Sequence, residues 1–244
     1  MKLLVVAKFL LLAIAVVAGA VVGLSEIPWP DEYWEVRQGW VTAARITLVL
    51  VTALEAIRTA AAVSLRHHRE KRAGLVEGVL YYTLVRLDEA TADALRWHDI
   101  GIHVWELPRV PRWPRQLKKV ARVRIENDGR GGTNIRWTRG TGAIGICWET
   151  GEGRVFNASA LMAVSRDEWE SRTDEERMGL DWRQAQMTKN YGGIVVMPMR
   201  SKKGRFRGCV SVDGPEGSFQ TLRNKKVLEV VQNCASTCAS TLYP

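Results

Sequence analysis

The chain opens on an almost unbroken apolar run, residues 3–24 (LLVVAKFLLLAIAVVAGAVVGL), in which Lys8 is the only charge. About 20 such residues cross a bilayer as a helix, so residues 1–24 are predicted to form a first transmembrane helix. A second apolar run, residues 41–65, carries Arg45, Glu55 and Arg58. Arg45 lies near one end, where a long side chain snorkels to the interface, and Glu55 and Arg58 sit three residues apart, the spacing of a pair on one helix face. The second run is therefore predicted to be a second span. The loop between them, residues 25–40, sets Glu26, Asp31, Glu32 and Glu35 against Arg37 and holds Trp29, Tyr33, Trp34 and Trp40, aromatics suited to a membrane-water interface. The rival for the first run is a cleaved signal peptide, because Lys2, an apolar core and Ala18-Gly19-Ala20 have that layout. The second span argues against it.

Past Leu65 the rhythm changes. Residues 66–99 are predicted to be a juxtamembrane helix, with Val76, Leu80, Leu84 and Leu87 recurring at spacings of three and four. If the second span continues into it, one long helix runs from the membrane into the globular part of the chain, as a dimer seam or signal carrier; the alternative is a helix packed on its own sheet. Residues 101–107 (GIHVWEL) alternate as a strand, and Pro108, Pro111 and Pro114 stop it. Residues 117–125 (LKKVARVRI) alternate again, which places the Lys and Arg positions on a wet face. Residues 126–133 (ENDGRGGT) form a turn. Residues 135–152 are predicted as a short strand, a glycine-punctuated turn and a helix start; a Walker-type phosphate loop is not present, and the glycines serve close backbone packing.

Residues 166–181 are acidic and polar, a solvated helix or lid, with Ser165 and Glu168 spaced as a capping box. Residues 193–199 (GIVVMPM) form a buried strand, Lys202-Lys203-Gly204 a hairpin turn, and residues 207–213 (RGCVSVD) the partner strand. Residues 222–242 close the chain as a helix with Val227, Val231, Cys234, Cys238 and Leu242 on one face.

A formal net charge of +9 over 244 residues invites a nucleic-acid reading. Placement weakens it, because much of the excess lies beside the apolar runs or in residues 109–124, where anionic lipid headgroups are the simpler partner. No helix-turn-helix, finger or RNP pattern is present, and no nucleic-acid partner is expected. Lys2 and Lys8 at one end and residues 66–72 (RHHREKR) at the other are basic while the loop is acidic, which predicts a multi-pass protein of the cell membrane with both termini cytoplasmic. The four cysteines, Cys147, Cys209, Cys234 and Cys238, form neither a CxxC pair nor a disulfide framework.

The segment Gly140-Thr141-Gly142-Ala143-Ile144-Gly145 with Thr150-Gly151-Glu152 resembles the helix entry and following turn of the GAF domain. Ile194-Val195-Val196-Met197-Pro198-Met199 with Gly208-Cys209-Val210-Ser211-Val212-Asp213 and Phe219 is similar to that family's final paired strands and the aromatic after them. The resemblance implies an α+β fold over residues 75–244, a GAF-like antiparallel sheet flanked by helices and preceded here by the two transmembrane helices. It implies a sensory or regulatory module, commonly dimeric, that binds a small molecule; neither the ligand nor a cofactor is named by it. The motif of cyclic-nucleotide-binding members is not evident. No kinase, cyclase or helix-turn-helix output follows, so a separate output protein is expected.

The pocket of such a fold lies between the sheet and the segment after Gly142, which makes Trp105, Trp148, Arg154 and Tyr191 the candidate lining residues. The expectation is a non-enzymatic protein without a metal. Cys147 raises the alternative of a thiol-dependent reductase, but the cysteine that such GAF enzymes carry before the apolar strand is replaced by Lys189-Asn190-Tyr191-Gly192. His103, a lone strand histidine, is read as a satisfied structural residue rather than a haem ligand. The remaining alternative is a structural or interaction module with a filled core and a basic surface for lipid or an acidic partner.

Overall fold

A computed structural model describes residues 2–26, 38–92, 94–108, 115–125 and 135–244. The aromatics Trp29, Tyr33 and Trp34, the basic residues Arg109 and Arg112 and the turn at 126–133 lie outside the described residues. The chain divides into two units, Met1–Arg69 and Glu70–Pro244.

The first unit contains α1 (Lys2–Ser25) and the N-terminal part of α2, a continuous helix over Gln38–Thr91. Among the described residues α2 is the one helix long and apolar enough to cross a membrane, and its apolar stretch is not buried within the chain. Ile46, Val49, Leu50, Leu54 and Ile57 are exposed along it. Arg58 pairs with Glu55 at 3.2 Å, as their spacing predicts. Described side chains of α1 cover a shorter apolar stretch, Ala13–Ser25.

The second unit is α+β. The strands are β1 (Gly101–Glu106), β2 (Lys118–Val123), β3 (Arg154–Asn157), β4 (Gly193–Arg200) and β5 (Phe206–Asp213). They form one antiparallel sheet in the order β2-β1-β5-β4-β3. Period-two alternation sorts the side chains onto two covered faces. Ile102, Val104, Ala121, Val123, Val195, Met197, Val210 and Val212 join Val76, Leu80, Leu84 and Leu87 of α2 and the apolar face of α8 (Lys225–Leu242), in one core. The stripe at residues 76–87 therefore packs on its own sheet. The other face of the sheet, with Trp105, Val196 and Cys209, is covered by α3 (Gly142–Thr150) and the segments after it. Burial on both faces explains why β4 and β5 read as near-continuous apolar runs. Pro198 fits because β3 ends at Arg154 opposite Val196, so β4 beyond that point is an edge where a missing N–H breaks no ladder.

Several expectations need correction. α2 ends at Thr91, and among the described residues from there to 99 the one helical piece is a 3-10 turn at Trp97–Asp99. No strand forms at residues 135–138; that segment is held by the Leu117 N–H donating to the Trp137 carbonyl at 2.9 Å. β3 is an unforeseen strand, too short and too polar to show alternation. Arg124 does not lie on a wet face: its side chain is buried and paired with Asp213. The acidic segment is anchored rather than solvated. A short helix, α4 (Ala158–Met162), precedes it, and Trp169 of its own helix α5 (Arg166–Ser171) is fully buried against Trp182 of α6 (Trp182–Gln186). Ser165 accepts from the Glu168 N–H at 3.3 Å, while the reciprocal capping box belongs to Asp181 and Gln184. The terminal helix starts at Lys225, after a separate turn of helix, α7 (Phe219–Leu222). Its predicted apolar face, Val227 through Leu242, is buried throughout.

The two ends of the second unit meet. Arg72 of α2 donates to the Leu242 carbonyl at 3.0 Å and lies 3.7 Å from Glu106, to which the Tyr243 hydroxyl donates at 3.4 Å. Burial, with the Glu106 charge beside it, pushes the Tyr243 phenol up to about 12. A phenol raised on folding contributes stability that is fully present below the unfolded value near 10 and is lost as pH rises through about 12. Spectrophotometric titration should show a late-ionising phenol that Tyr243→Phe removes, with this contact releasing in the same window.

Candidate functional site

The site lies on the sheet face covered by α3. Alternation along β1 turns Ile102 and Val104 into one core and His103 and Trp105 to the opposite face. On neighbouring β5 the same rule turns Ser211 and Asp213 that way, and the register sets His103 opposite Ser211. His103 Nε2 then lies 3.0 Å from Asp213 Oδ1, while Arg124 donates to the other carboxylate oxygen. The side chains of these three groups are 9%, 6% and 2% exposed, so the ion pair is dry and each member depends on the others. Trp105 stacks on His103 with ring centroids 6.1 Å apart, donates from Nε1 to Ser211 Oγ at 3.1 Å, and meets Trp137 edge-on.

Above this floor is a cavity of about 70 Å³. Its walls come from Trp105, Trp137, Phe156, Leu161, Leu180 and Tyr191, with Ala143 and Ile144 of α3 at one side and Lys119 of β2 at another. Gly142 makes the wall possible: its φ of +61° suits glycine, and a Cβ there would come within 2.5 Å of the Trp137 ring. Gly145 lets α3 approach the Thr138 carbonyl, which a Cβ would strike.

The fold is GAF-like. Its order of elements, a helix, two strands, a glycine turn into a helix, a variable segment, an apolar hairpin and a terminal helix, is the one that the resemblance implies. No family model and no curated protein matches the sequence. Among solved structures the chain is similar to a type II free methionine-R-sulfoxide reductase from Thermoplasma acidophilum, at 15% identity, covering 71% of this chain and 94% of that one, with a TM-score of 0.43. It is also similar to the GAF domain from a phosphoenolpyruvate-protein phosphotransferase of Coxiella burnetii, at 14% identity, 71% and 94% coverage and a TM-score of 0.40. A third is the GAF domain of nlh2 from A. aeolicus in an inactive state, at 10% identity, 68% and 97% coverage and a TM-score of 0.37. Similarity at this level extends to no ligand or activity.

Of the four candidate lining residues, Trp105 and Tyr191 stand at the cavity. Trp148 does not: it lies one turn beyond Ile144 along α3, half-buried and packed against the second core. Arg154 is exposed at the end of β3 and pairs with Glu152 at 3.3 Å. His103 is more than a satisfied structural residue, since its Nδ1 is buried without a partner among the described residues. A cavity of this volume is also far too small for haem. Asp213, Ser211 and Trp137 escaped notice because their roles depend on strand register and on a contact 110 residues apart.

The thiols lie elsewhere. Cys147 and Cys209 are fully buried and outside the cavity lining, and burial, then the neighbouring Cys147 thiol, push the Cys209 thiol well above its usual range. Cys234 and Cys238 place their sulfurs 4.0 Å apart on the buried face of α8. All four thiols are buried and unoxidised. A thiol-specific colorimetric reagent should therefore label none of them in the folded protein and all four after denaturation; rapid labelling of Cys147 in the native state would contradict this. Among the described residues no group of three or more His, Cys, Asp or Glu side chains is placed to hold a metal ion.

Proposed function

We infer that this chain is a membrane-anchored, GAF-like sensory or regulatory module that binds a small molecule over His103 and Trp105 and signals to a separate partner protein. The observation that carries the reading is the aromatic-walled cavity whose lining includes two buried polar atoms, His103 Nδ1 and Trp137 Nε1, that have no partner among the described residues. Buried polar groups are ordinarily satisfied, and a concave apolar site with a few convergent polar groups is the usual form of a ligand site. The apolar stretch of α2, and α1 before it, supply the anchor as two spans, with both termini cytoplasmic.

Because α2 is unbroken through Thr91, the same helix that carries the anchor packs Val76 to Leu87 on the sheet and offers a route for occupancy to be passed on. Its outward side presents Leu75, Gly78, Tyr82 and Val85, spaced three and four apart and exposed, the seam of a parallel homodimer. Thiols that are all buried and stand outside the cavity lining favour a binding protein over a thiol enzyme. Native mass spectrometry of the full chain, released from detergent after purification from its own cells, tests the reading. A reproducible bound small molecule that is lost in Ile194→Trp, which fills the cavity, is the expected result; a clean apo protein in every preparation would count against it.

A further inference from the structure

We propose that the cavity takes a small monocarboxylate, its charged end held by the open N-terminus of α3 and its far end oriented by His103. This rests on the cavity being a ligand site and names the ligand's class. At the N-cap of α3 the Thr141 hydroxyl is spent on Thr138, 2.7 Å away, and provides no side-chain cap. The Gly142 N–H donates to the Met178 carbonyl at 2.7 Å and the Gly145 N–H to the Thr141 carbonyl at 2.9 Å. The N–H groups of Ala143 and Ile144 have no acceptor among the described residues, although both residues are only 6% exposed and both line the cavity. A buried, uncapped helix start of this kind leaves donors and the positive end of the helix dipole facing whatever enters.

The second observation is independent of the helix. The His103 side chain is nine-tenths buried at the same cavity; its Nε2 faces the Asp213 carboxylate and Nδ1 has no partner among the described residues. A carboxylate accepts only, so a neutral imidazole there carries its proton on Nε2 and presents Nδ1 as an acceptor. Trp137 adds a buried Nε1–H without a partner among the described residues, and Lys119, exposed at the cavity rim, adds positive charge. Arg124 and Asp213 cancel one another. Around the cavity the surplus is of donors and positive charge, and His103 Nδ1 is the acceptor left without a partner among the described residues.

These groups match a carboxylate joined by a short carbon body to a hydroxyl or N–H donor. At about 10–15 Å³ for each water in the same measure, 70 Å³ holds about five waters, the room for an organic molecule of about seven non-hydrogen atoms. Trp105, Trp137, Phe156 and Leu161 cover its carbon body.

Calorimetry on the full chain in detergent, with isovalerate, its γ-hydroxy derivative and isovaleramide, tests the assignment. Isovalerate and isovaleramide are isosteric, and the hydroxy acid adds one oxygen. The hydroxy acid should bind about tenfold more tightly than isovalerate, and isovalerate about tenfold more tightly than the amide. Lys119→Met, a change at an exposed side chain, should weaken both acids about threefold and leave the amide unaffected. His103→Phe should erase the advantage of the hydroxyl while keeping acid above amide; if that variant fails to fold, the probe series on the wild type still decides. An amide that binds as well as the acids overturns the carboxylate, and equal binding of the two acids overturns the role of His103. Binding of none of the three also overturns the proposal, while a small molecule retained in the native mass spectrum of the same preparation would leave the broader reading standing.

Discussion

Arg124→Met is expected to destabilise the second unit by about 3–5 kcal/mol, the cost of leaving the Asp213 carboxylate buried without its cation. The prediction rests on geometry: both side chains are nearly inaccessible, and the only other group facing the carboxylate at hydrogen-bond distance among the described residues is His103. For a domain of this size each kcal/mol moves Tm by about 2–4 °C, so thermal melting of the full chain should shift down by about 10 °C. Asp213→Asn in the same background should restore part of the loss, since it removes the stranded charge. A shift of less than about 2 °C for Arg124→Met would show that the pair is hydrated and not part of the core.

Trp169→Ala is expected to cost about 3–5 kcal/mol, as large aromatic deletions in a packed core do. Trp169 sits in the most acidic stretch of the chain, yet it is fully buried, in contact with Trp182 and beneath the Arg172 guanidinium at 6.0 Å. It pins the segment that supplies Met178 and Leu180 to the cavity and the Met178 carbonyl to α3. The same melting experiment reads it, and ligand retention should fall with stability. A neutral result would return this segment to a solvated lid.

How much of this fold is legible in the sequence depends on the length scale of each signal. The helix stripe at Val76, Leu80, Leu84 and Leu87 and the terminal stripe from Val227 to Leu242 are local periodicities, and both stripes are buried. The hairpin of β4 and β5 was legible because its turn and both apolar strands lie within about 20 residues. β3 was not, because RVFN is too short and its strand character comes from pairing with β4. The buried Trp169 was masked by the acidic residues around it, which describe the outer face of α5 and say nothing of its inner one.

The site was legible in part for the same reason. Alternation alone places His103 and Trp105 on one face, but that Asp213 and Arg124 meet there depends on the register of three strands. Trp148 and Arg154 fall outside the cavity for local reasons: Trp148 lies one turn beyond Ile144 along α3, and Arg154 stands at the outer end of an unforeseen edge strand. No sequence pattern announced the uncapped start of α3, because Thr141 is a good capping residue whose hydroxyl is engaged by Thr138.

The most direct test of the cavity as a ligand site is the ring-nitrogen NMR signal of His103 in the full chain, assigned by its loss in His103→Phe, before and after addition of the small-molecule fraction of the protein's own cells. Occupancy predicts that the Nδ1 resonance moves to a hydrogen-bonded position while those of His67, His68 and His98 stay where they are. An Nδ1 signal that does not move, in protein shown to be free of bound small molecules beforehand, would contradict the account.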